Sequence, residues 1–115
     1  MKLVLSLLIS AFASSAFAAK LSATQFTCTS TNAGLVVVTT PQDFSVQVFD
    51  LQGNFLYEND NAYPTYSYSD VLNPMIIDVK MIDNVSGKTV LLLSAQGQKI
   101  QGEFNGDDSF TCTAR

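Results

Sequence analysis

The four tyrosines are the side chains of this sequence best suited to molecular recognition. All of them fall within residues 57–68, together with acidic and amide side chains. A tyrosine offers a large apolar area and a polar hydroxyl at a small cost in rotamer entropy, so exposed tyrosines can stack on a sugar or grip a peptide. We therefore predict a binding site formed by Tyr57, Tyr63, Tyr66 and Tyr68, with a protein or a glycan as the partner.

A structural role for two of these tyrosines is the main alternative, and the pattern favours it. Tyr66 and Tyr68 alternate with small hydroxyl residues, as expected for a half-buried β-strand. On this interpretation both rings face the protein interior. Only Tyr57 and Tyr63 would then lie near a loop and be open to a partner.

The composition disfavours most nucleophilic and metal-dependent catalysis, in which histidine is the commonest base and ligand. The sequence contains no histidine and no tryptophan. General acid–base catalysis needs a carboxyl group whose pKa is raised by burial, but the paired acids lie at predicted turns or solvent-facing positions, where carboxylates bind backbone N–H groups. The pairs are Asp107 with Asp108, Glu58 with Asp60, and Asp78 with Asp83. We predict that the protein is not an enzyme, with no catalytic residue and no cofactor.

Calcium is the one metal for which ligands are numerous. Oxygen-bearing side chains cluster at residues 58–61 and 105–108. Neither cluster has the spacing of an EF-hand loop, and runs of Asn and Asp are ordinary turn formers. We therefore predict no metal site.

An export signal is predicted at residues 1–18. Lys2 gives a positive start, an almost wholly apolar run follows, and Ala16 and Ala18 supply the small side chains that signal peptidase needs before its cut. Residues 19–115 would then form a single β domain in the periplasm or outside the cell. No cysteine stands just after the apolar run, which disfavours a lipid anchor.

Composition excludes two classes of partner. The chain has ten acidic and six basic side chains and a net charge of −4, which becomes more negative once Lys2 is removed with the signal. A nucleic-acid-binding domain needs a cationic face to displace counterions from phosphate. Residues 19–115 also contain no apolar run of the roughly 20 residues that a membrane helix requires. We predict no nucleic-acid partner and no membrane span in the mature chain.

The two cysteines fit an oxidising compartment. Cys28 and Cys112 each lie in the sequence Phe-Thr-Cys-Thr. In an alternating strand each cysteine shares a face with the phenylalanine two residues before it, Phe26 or Phe110, while the threonines point to the other face. We predict a structural disulfide that joins the first strand to the last. The alternative, a redox or metal pair, lacks both the CxxC spacing and a histidine.

The sequence after the signal has the pattern of an all-β protein. Segments rich in Val, Ile, Thr, Tyr and Phe are separated by Gly, Pro, Asn or Asp. The last four strands should form a meander of hairpins. The fold is therefore expected to be a small antiparallel β-sandwich or compact barrel of about seven to nine strands. The predicted strands are 24–30, 34–40, 44–51, 54–58, 64–69, 75–82, 89–95, 98–104 and 109–114.

An exported, all-β chain of this size with one cysteine near each end resembles, in outline, the periplasmic inhibitors of c-type lysozyme. That family carries a Ser-Gly-x-x-Tyr loop that enters the lysozyme cleft. The nearest stretch here is Gln96-Gly97-Gln98-Lys99-Ile100, in which Gly97 matches, Gln96 replaces the Ser and Ile100 replaces the Tyr. We therefore transfer no inhibitory residue to this chain.

Two functions follow from these observations as hypotheses. The first is an exported, non-catalytic binding protein or an envelope-associated structural module. The second is a proteinaceous inhibitor of a secreted hydrolase, similar to the lysozyme inhibitors. The inhibitor hypothesis predicts a protruding polar loop at residues 96–99 or 105–108.

Overall fold

The computed structural model describes residues 19–69, 72 and 75–115. The predicted signal at residues 1–18 lies outside the described residues. The described part contains two short 3-10 helices, Ala19–Ser22 and Pro41–Asp43, and nine strands. The strands are β1 (Phe26–Ser30), β2 (Leu35–Thr40), β3 (Ser45–Asp50), β4 (Phe55–Asn59), β5 (Ala62–Tyr68), β6 (Ile76–Asp83), β7 (Thr89–Gln96), β8 (Lys99–Phe104) and β9 (Asp107–Ala114).

The strands form one antiparallel sheet in the order β4-β3-β2-β1-β9-β8-β7-β6-β5. Two meanders, β1 to β4 and β5 to β9, are joined where the first strand pairs with the last. The sheet curls into a nearly closed barrel, with β4 and β5 as its two edges. This result confirms the all-β prediction and the meander of the last four strands, and it decides between the two expected architectures in favour of a barrel.

Each predicted strand overlaps an observed one, because side-chain alternation is a local property of the chain. In β3, for example, Val46 and Val48 are buried while their neighbours are partly exposed. In β6 the same alternation buries Val79 and Met81 and leaves Lys80 exposed. The barrel therefore has an apolar interior and a mostly polar outer surface.

The predicted disulfide is present, and it lies inside the barrel. Cys28 of β1 and Cys112 of β9 are direct cross-strand partners and are bonded to each other. Phe26 and Phe110 are buried on the same faces as the cysteines, whereas the threonines of both strands are partly or fully exposed. The facing of the two Phe-Thr-Cys-Thr segments is thus confirmed.

Gly102 of β8 makes room for this disulfide. A Cβ atom at this position would lie 2.6 Å from Sγ of Cys112 and 3.3 Å from Sγ of Cys28. Real Cβ atoms do not approach other heavy atoms as closely as the first of these distances. The glycine is therefore needed for the close approach of β8 to the bond, and not for a turn.

The N-terminal 3-10 helix closes part of the barrel. Leu21 is almost fully buried within the core, and its helix packs against β6. This helix leads into β1, which is four places from β6 in the sheet order. Leu21 therefore belongs to the core and does not lie on the outer surface.

The two edge strands are connected at one corner without pairing along their length. The backbone N–H of Ala62 donates to the carbonyl oxygen of Phe44 at 3.2 Å, and that of Asn84 donates to the carbonyl oxygen of Asn61 at 2.9 Å. These bonds hold the β4–β5 connection against both meanders. Among the described residues no ladder joins β4 to β5, so both strands keep one side free of sheet partners.

Candidate functional site

The four tyrosines lie on the two edge strands of the barrel. Tyr57 belongs to β4, and Tyr63, Tyr66 and Tyr68 belong to β5. Their exposed fractions range from 38% for Tyr63 to 56% for Tyr68. The sequence placed them in one short segment. The fold distributes them over two strands that face the same opening of the sheet.

The prediction that Tyr66 and Tyr68 are buried is wrong, because both side chains are exposed. The prediction that Tyr66 is on the inward face of its strand is correct. Tyr66 pairs with Val79, which is fully buried, and cross-strand partners project to the same face. Tyr66 nevertheless remains 40% exposed, because β5 is an edge and no further strand covers its outer side. The binding role of the four tyrosines stays a prediction.

Other large apolar side chains extend the exposed surface at both edges. Phe55 and Leu56 stand beside Tyr57 on β4, and Ile77 of β6 is exposed next to β5. Phe55 also packs edge to face against Phe49, with the ring centroids 5.7 Å apart. Phe55 and Leu56 were not among the site residues predicted from the sequence. The run Phe55-Leu56-Tyr57 could have identified them in the sequence. Successive side chains of a strand point to opposite faces, so three consecutive apolar residues cannot all face one core.

A cleft of about 490 Å3 lies beside this edge, where the first meander meets the β6–β7 and β8–β9 turns. Its volume is within the range of small-molecule sites. Asp83 is the one carboxylate that lines it within the described part of the chain, so it offers no pair of acids for catalysis. The lining residues are Val46, Tyr57, Asn59, Asp83, Ser86, Lys88, Thr89, Val90, Phe104 and Asn105.

Asp83 connects the two sides of the cleft. Its Oδ1 accepts a hydrogen bond from Nδ2 of Asn59 at 3.1 Å, and its Oδ2 accepts one from the backbone N–H of Ser86 at 2.8 Å. The pKa of Asp83 is lowered, first by the Ser86 side chain and backbone N–H and then by the Asn59 amide. Because the hydrogen bonds favour the ionised form, Asp83 acts as a fixed acceptor at neutral pH.

We expect replacement of Asp83 by asparagine to reduce the change in the free energy of unfolding as the pH is lowered into the acid range. A carboxyl group whose pKa is lowered by folding stabilises the protein above its unfolded pKa, and this contribution is lost as pH falls through the folded pKa. The melting temperatures of Asp83→Asn and wild type should therefore differ most at neutral pH and converge below the ordinary pKa of 3.8. Thermal melts followed by circular dichroism across this range measure the difference.

Asp50 and Asp107 are comparison sites for this experiment, because their pKa values are lowered in the same way. The pKa of Asp50 is lowered by hydrogen bonds from the Asn54 side chain and backbone, and that of Asp107 by the side chain and backbone of Ser109. Asp50 is the last residue of β3 and Asp107 the first residue of β9, each beside a turn, so Asp50→Asn and Asp107→Asn should show the same convergence at acid pH. A constant difference in melting temperature between Asp83→Asn and wild type at every pH would show that the ionised Asp83 carboxylate does not contribute to stability in this way.

Three of the acids considered for catalysis, Glu58, Asp83 and Asp107, accept hydrogen bonds from nearby backbone or side-chain groups. Oδ1 of Asp107 accepts the backbone N–H of Ser109 at 2.9 Å, and Oε2 of Glu58 accepts the hydroxyl of Ser45 at 2.8 Å. The lowered pKa of Asp107 is opposite to the shift that a general acid requires. The absence of enzymatic activity stays a prediction.

The two segments that the inhibitor hypothesis expects to protrude, residues 96–99 and 105–108, contain only short turns. Gly97 and Gln98 alone separate β7 from β8, and Asn105 and Gly106 alone separate β8 from β9. Two-residue hairpins extend little beyond the strands that they connect. The inhibitor hypothesis is not tested by this geometry, but it would have to use the turn residues themselves rather than a long loop.

Comparisons with known proteins give no family for this chain. No protein family, no curated protein and no solved structure matches it. In the described part of the chain, no helix combines the length and the apolar character needed to cross a membrane. The same residues include no group of three or more His, Cys, Asp or Glu side chains that could hold a metal ion.

Proposed function

We propose that the protein is an exported, non-catalytic binding protein that recognises a polypeptide partner through the edge strands β4 and β5. The observation that carries the proposal is the placement of all four tyrosines, exposed, on the two strands that lack a sheet partner on one side. Tyrosine side chains are enriched at recognition surfaces because they add large contact area with little loss of rotamer entropy.

A polypeptide is favoured over a glycan because of the backbone at these edges. An edge strand presents unpaired N–H and C=O groups in a regular row, and an extended polypeptide can complete that row while alternate side chains supply specificity. A glycan would use the tyrosine rings but not the regular spacing of the backbone groups. Recognition of a glycan is therefore an outcome that the experiment must be able to detect.

The disulfide supports an oxidising compartment. Such bonds form and persist in the periplasm and outside the cell, and they are rare in a reducing cytosol. The bond lies inside the barrel between the first and last strands, where it stabilises the fold rather than serving an exposed redox reaction. Export by the predicted signal at residues 1–18 is part of the same proposal.

Affinity capture from the envelope and secreted fractions of the source organism tests this proposal. The oxidised wild-type protein and a Tyr63→Ala, Tyr66→Ala double variant are immobilised at equal density. The captured material is quantified by mass spectrometry and by carbohydrate staining. We expect recovery of a polypeptide to fall at least about tenfold in the double variant, since interface tyrosines are frequent hot spots.

Val85→Ala is the matched control, because Val85 is an exposed apolar side chain in the β6–β7 turn. It should capture the partner as well as wild type does, and every variant must retain the wild-type melting temperature. Treatment of the captured material with protease or with periodate distinguishes a polypeptide from a glycan. Equal capture by wild type and the double variant would contradict a role for the β5 tyrosines.

A further inference from the structure

We propose that β5 of one copy pairs with β5 of a second copy, antiparallel and centred on Tyr66, so that two barrels share one continuous sheet. This inference rests on the proposed function, in which edge strands are the recognition surface, and it names a second copy of the chain as a partner. Its first support is the direction of the backbone groups along β5.

Hydrogen bonds at both ends of β5 fix that direction. At the beginning of the strand, the N–H of Ala62 donates to the carbonyl oxygen of Phe44, away from β6, at 3.2 Å. Just beyond its end, the N–H of Ser69 donates at 2.9 Å to the carbonyl oxygen of Met75, the residue before β6. Successive residues of a strand direct their backbone groups to opposite sides. Even-numbered residues of β5 therefore point their backbone groups away from the sheet.

These outward groups belong to Pro64, Tyr66 and Tyr68. The register irregularity near the end of β5 leaves Ile77 as the extra residue on β6, not on β5, so the alternation of β5 itself is unbroken. Pro64 has no N–H to donate, which is tolerated because its nitrogen faces the free side of an edge strand. Tyr66 and Tyr68 each keep an N–H and a C=O group directed to the free edge.

The charge of β5 also suits pairing between copies. No charged side chain occurs from Ala62 to Tyr68, although the chain as a whole has a net charge of −4. Two β5 strands can therefore approach without like charges directly opposite each other, which would destabilise cross-strand pairs. The other edge differs, because β4 carries Glu58.

A two-fold axis at Tyr66 gives the best match of these groups. Tyr66 of each copy then exchanges two backbone hydrogen bonds with Tyr66 of the other, and each Tyr68 N–H donates to the carbonyl oxygen of the opposite Pro64. Thr65 meets Ser67 of the second copy, a favourable cross-strand pair. Centring on Pro64 would instead place two residues without N–H groups opposite each other.

Pairing of β5 with itself also closes the assembly. An interface between identical patches related by a two-fold axis forms a dimer and stops there, whereas β5 of one copy on β4 of the next would leave free edges and grow further. The second arrangement would bring Glu58 into an intermolecular ladder. The observations therefore favour a closed dimer.

Sedimentation equilibrium of the oxidised protein up to about 1 mM, a concentration that detects weak association, measures the dimer. We expect a reversible monomer–dimer equilibrium in wild type. Tyr66→Lys should raise the dissociation constant at least about tenfold, because it places two like charges opposite each other at the axis. The matched control away from both edges, Val85→Lys in the exposed β6–β7 turn, should dimerise as wild type does.

Cross-linking tests the register independently. In a hydrogen-bonded pair the Cα atoms are about 5.5 Å apart, within the range of a disulfide. Tyr66→Cys should therefore form an intermolecular disulfide under mild oxidation after the native bond has formed. Thr65→Cys should not, since each Thr65 would face Ser67 of the second copy and the two introduced thiols would lie too far apart.

The outcomes separate this inference from the proposed function. A protein that is monomeric at the highest concentration, or a dimer that Tyr66→Lys weakens no more than Val85→Lys does, overturns pairing through β5. If such a protein still captures a partner through its tyrosines, the binding proposal stands and the second copy is excluded. Equal cross-linking of Tyr66→Cys and Thr65→Cys would overturn the register.

Discussion

Removal of the disulfide in a Cys28→Ala, Cys112→Ala variant is expected to lower the free energy of unfolding by roughly 4 to 5 kcal/mol. The bonded cysteines are 84 residues apart in the chain. In the chain-entropy model such a bond restricts the unfolded ensemble strongly, because the loop that it closes is long. Urea denaturation of the oxidised protein and the variant, followed by fluorescence and circular dichroism, measures this loss.

The position of the disulfide in the fold explains why its removal should destabilise the whole barrel. The β1–β9 ladder is where the two meanders join within the described sheet. Without the bond, that ladder must form between the two ends of the barrel sequence, at the full cost of loop closure. The expected loss is comparable to the lower end of the stability of a typical domain, about 5 kcal/mol.

Wild type reduced with a phosphine is the control for the disulfide experiment, because it loses the bond while keeping both cysteines. It should unfold at nearly the same urea concentration as the alanine variant. A loss below about 1 kcal/mol in both proteins would contradict the chain-entropy account, which predicts a far larger effect for a loop of this length. Agreement between the two proteins would exclude an effect of the alanine side chains themselves.

Gly102→Ala is expected to destabilise the oxidised protein by about 1 to 3 kcal/mol. The added methyl group would meet Sγ of Cys112 at 2.6 Å and the Cβ of Phe110 at 3.1 Å. Neither atom is the end of a flexible side chain, because the sulfur is held in the disulfide and Phe110 is fully buried. Either the β8–β9 pairing or the bond must shift. Thermal and urea unfolding measure the cost.

A double-mutant cycle identifies the contact that causes this loss. In the Cys28→Ala, Cys112→Ala background both sulfur atoms are absent, so the added methyl group keeps only its close contact with Phe110. Gly102→Ala should therefore cost less in that background, with a coupling energy of at least about 0.5 kcal/mol. An equal cost in both backgrounds would show that the disulfide is not what excludes a side chain from this position.

The disulfide and Gly102 variants act on a different part of the barrel from the tyrosine variants. Cys28, Cys112 and Gly102 lie together in the interior, where the first and last strands meet. Tyr63 and Tyr66 lie on an edge strand and are exposed. We therefore expect the interior variants to change stability strongly and the edge variants to change binding with little change in stability. This contrast makes stability a useful control for every binding measurement.

Tyr66 of the candidate site faces the side of the core but stays partly exposed. Tyr66 projects to the same side as Val79 of the core, so its alternation resembles that of a buried residue. The next place in the sheet beyond β5 is vacant, and the ring therefore keeps access to solvent. A strand supplied by another polypeptide would cover it and extend the core, which couples backbone pairing to burial of apolar area.

Much of the secondary structure could be predicted because it depends on local chemistry. Alternating apolar and polar residues specify which side chains share a face, and Gly, Asn and Asp mark the turns. These rules placed all nine strands and put Cys28 and Cys112 on the inward faces of the first and last strands. An even number of cysteines in a predicted exported chain was sufficient to suggest their pairing.

The order of the strands was not accessible in the same way. Alternation shows the side to which a residue points, but it does not show whether another strand lies beside it. That depends on pairing between segments far apart in the chain, such as β1 with β9, and on the closure of the barrel. The exposure of Tyr66, the requirement for glycine at Gly102 and the cleft around Asp83 are all consequences of that long-range arrangement.

The strands, their inward and outward faces and the two cysteines that join the first strand to the last could be predicted, because side-chain alternation and turns depend on residues near one another in the chain. That β4 and β5 are the edges, and that the tyrosines are exposed there, became known from the fold. A side chain is buried only where another segment of the chain lies beside it. Which segment becomes that neighbour is set by the free energy of the whole sheet and not by any one of its strands.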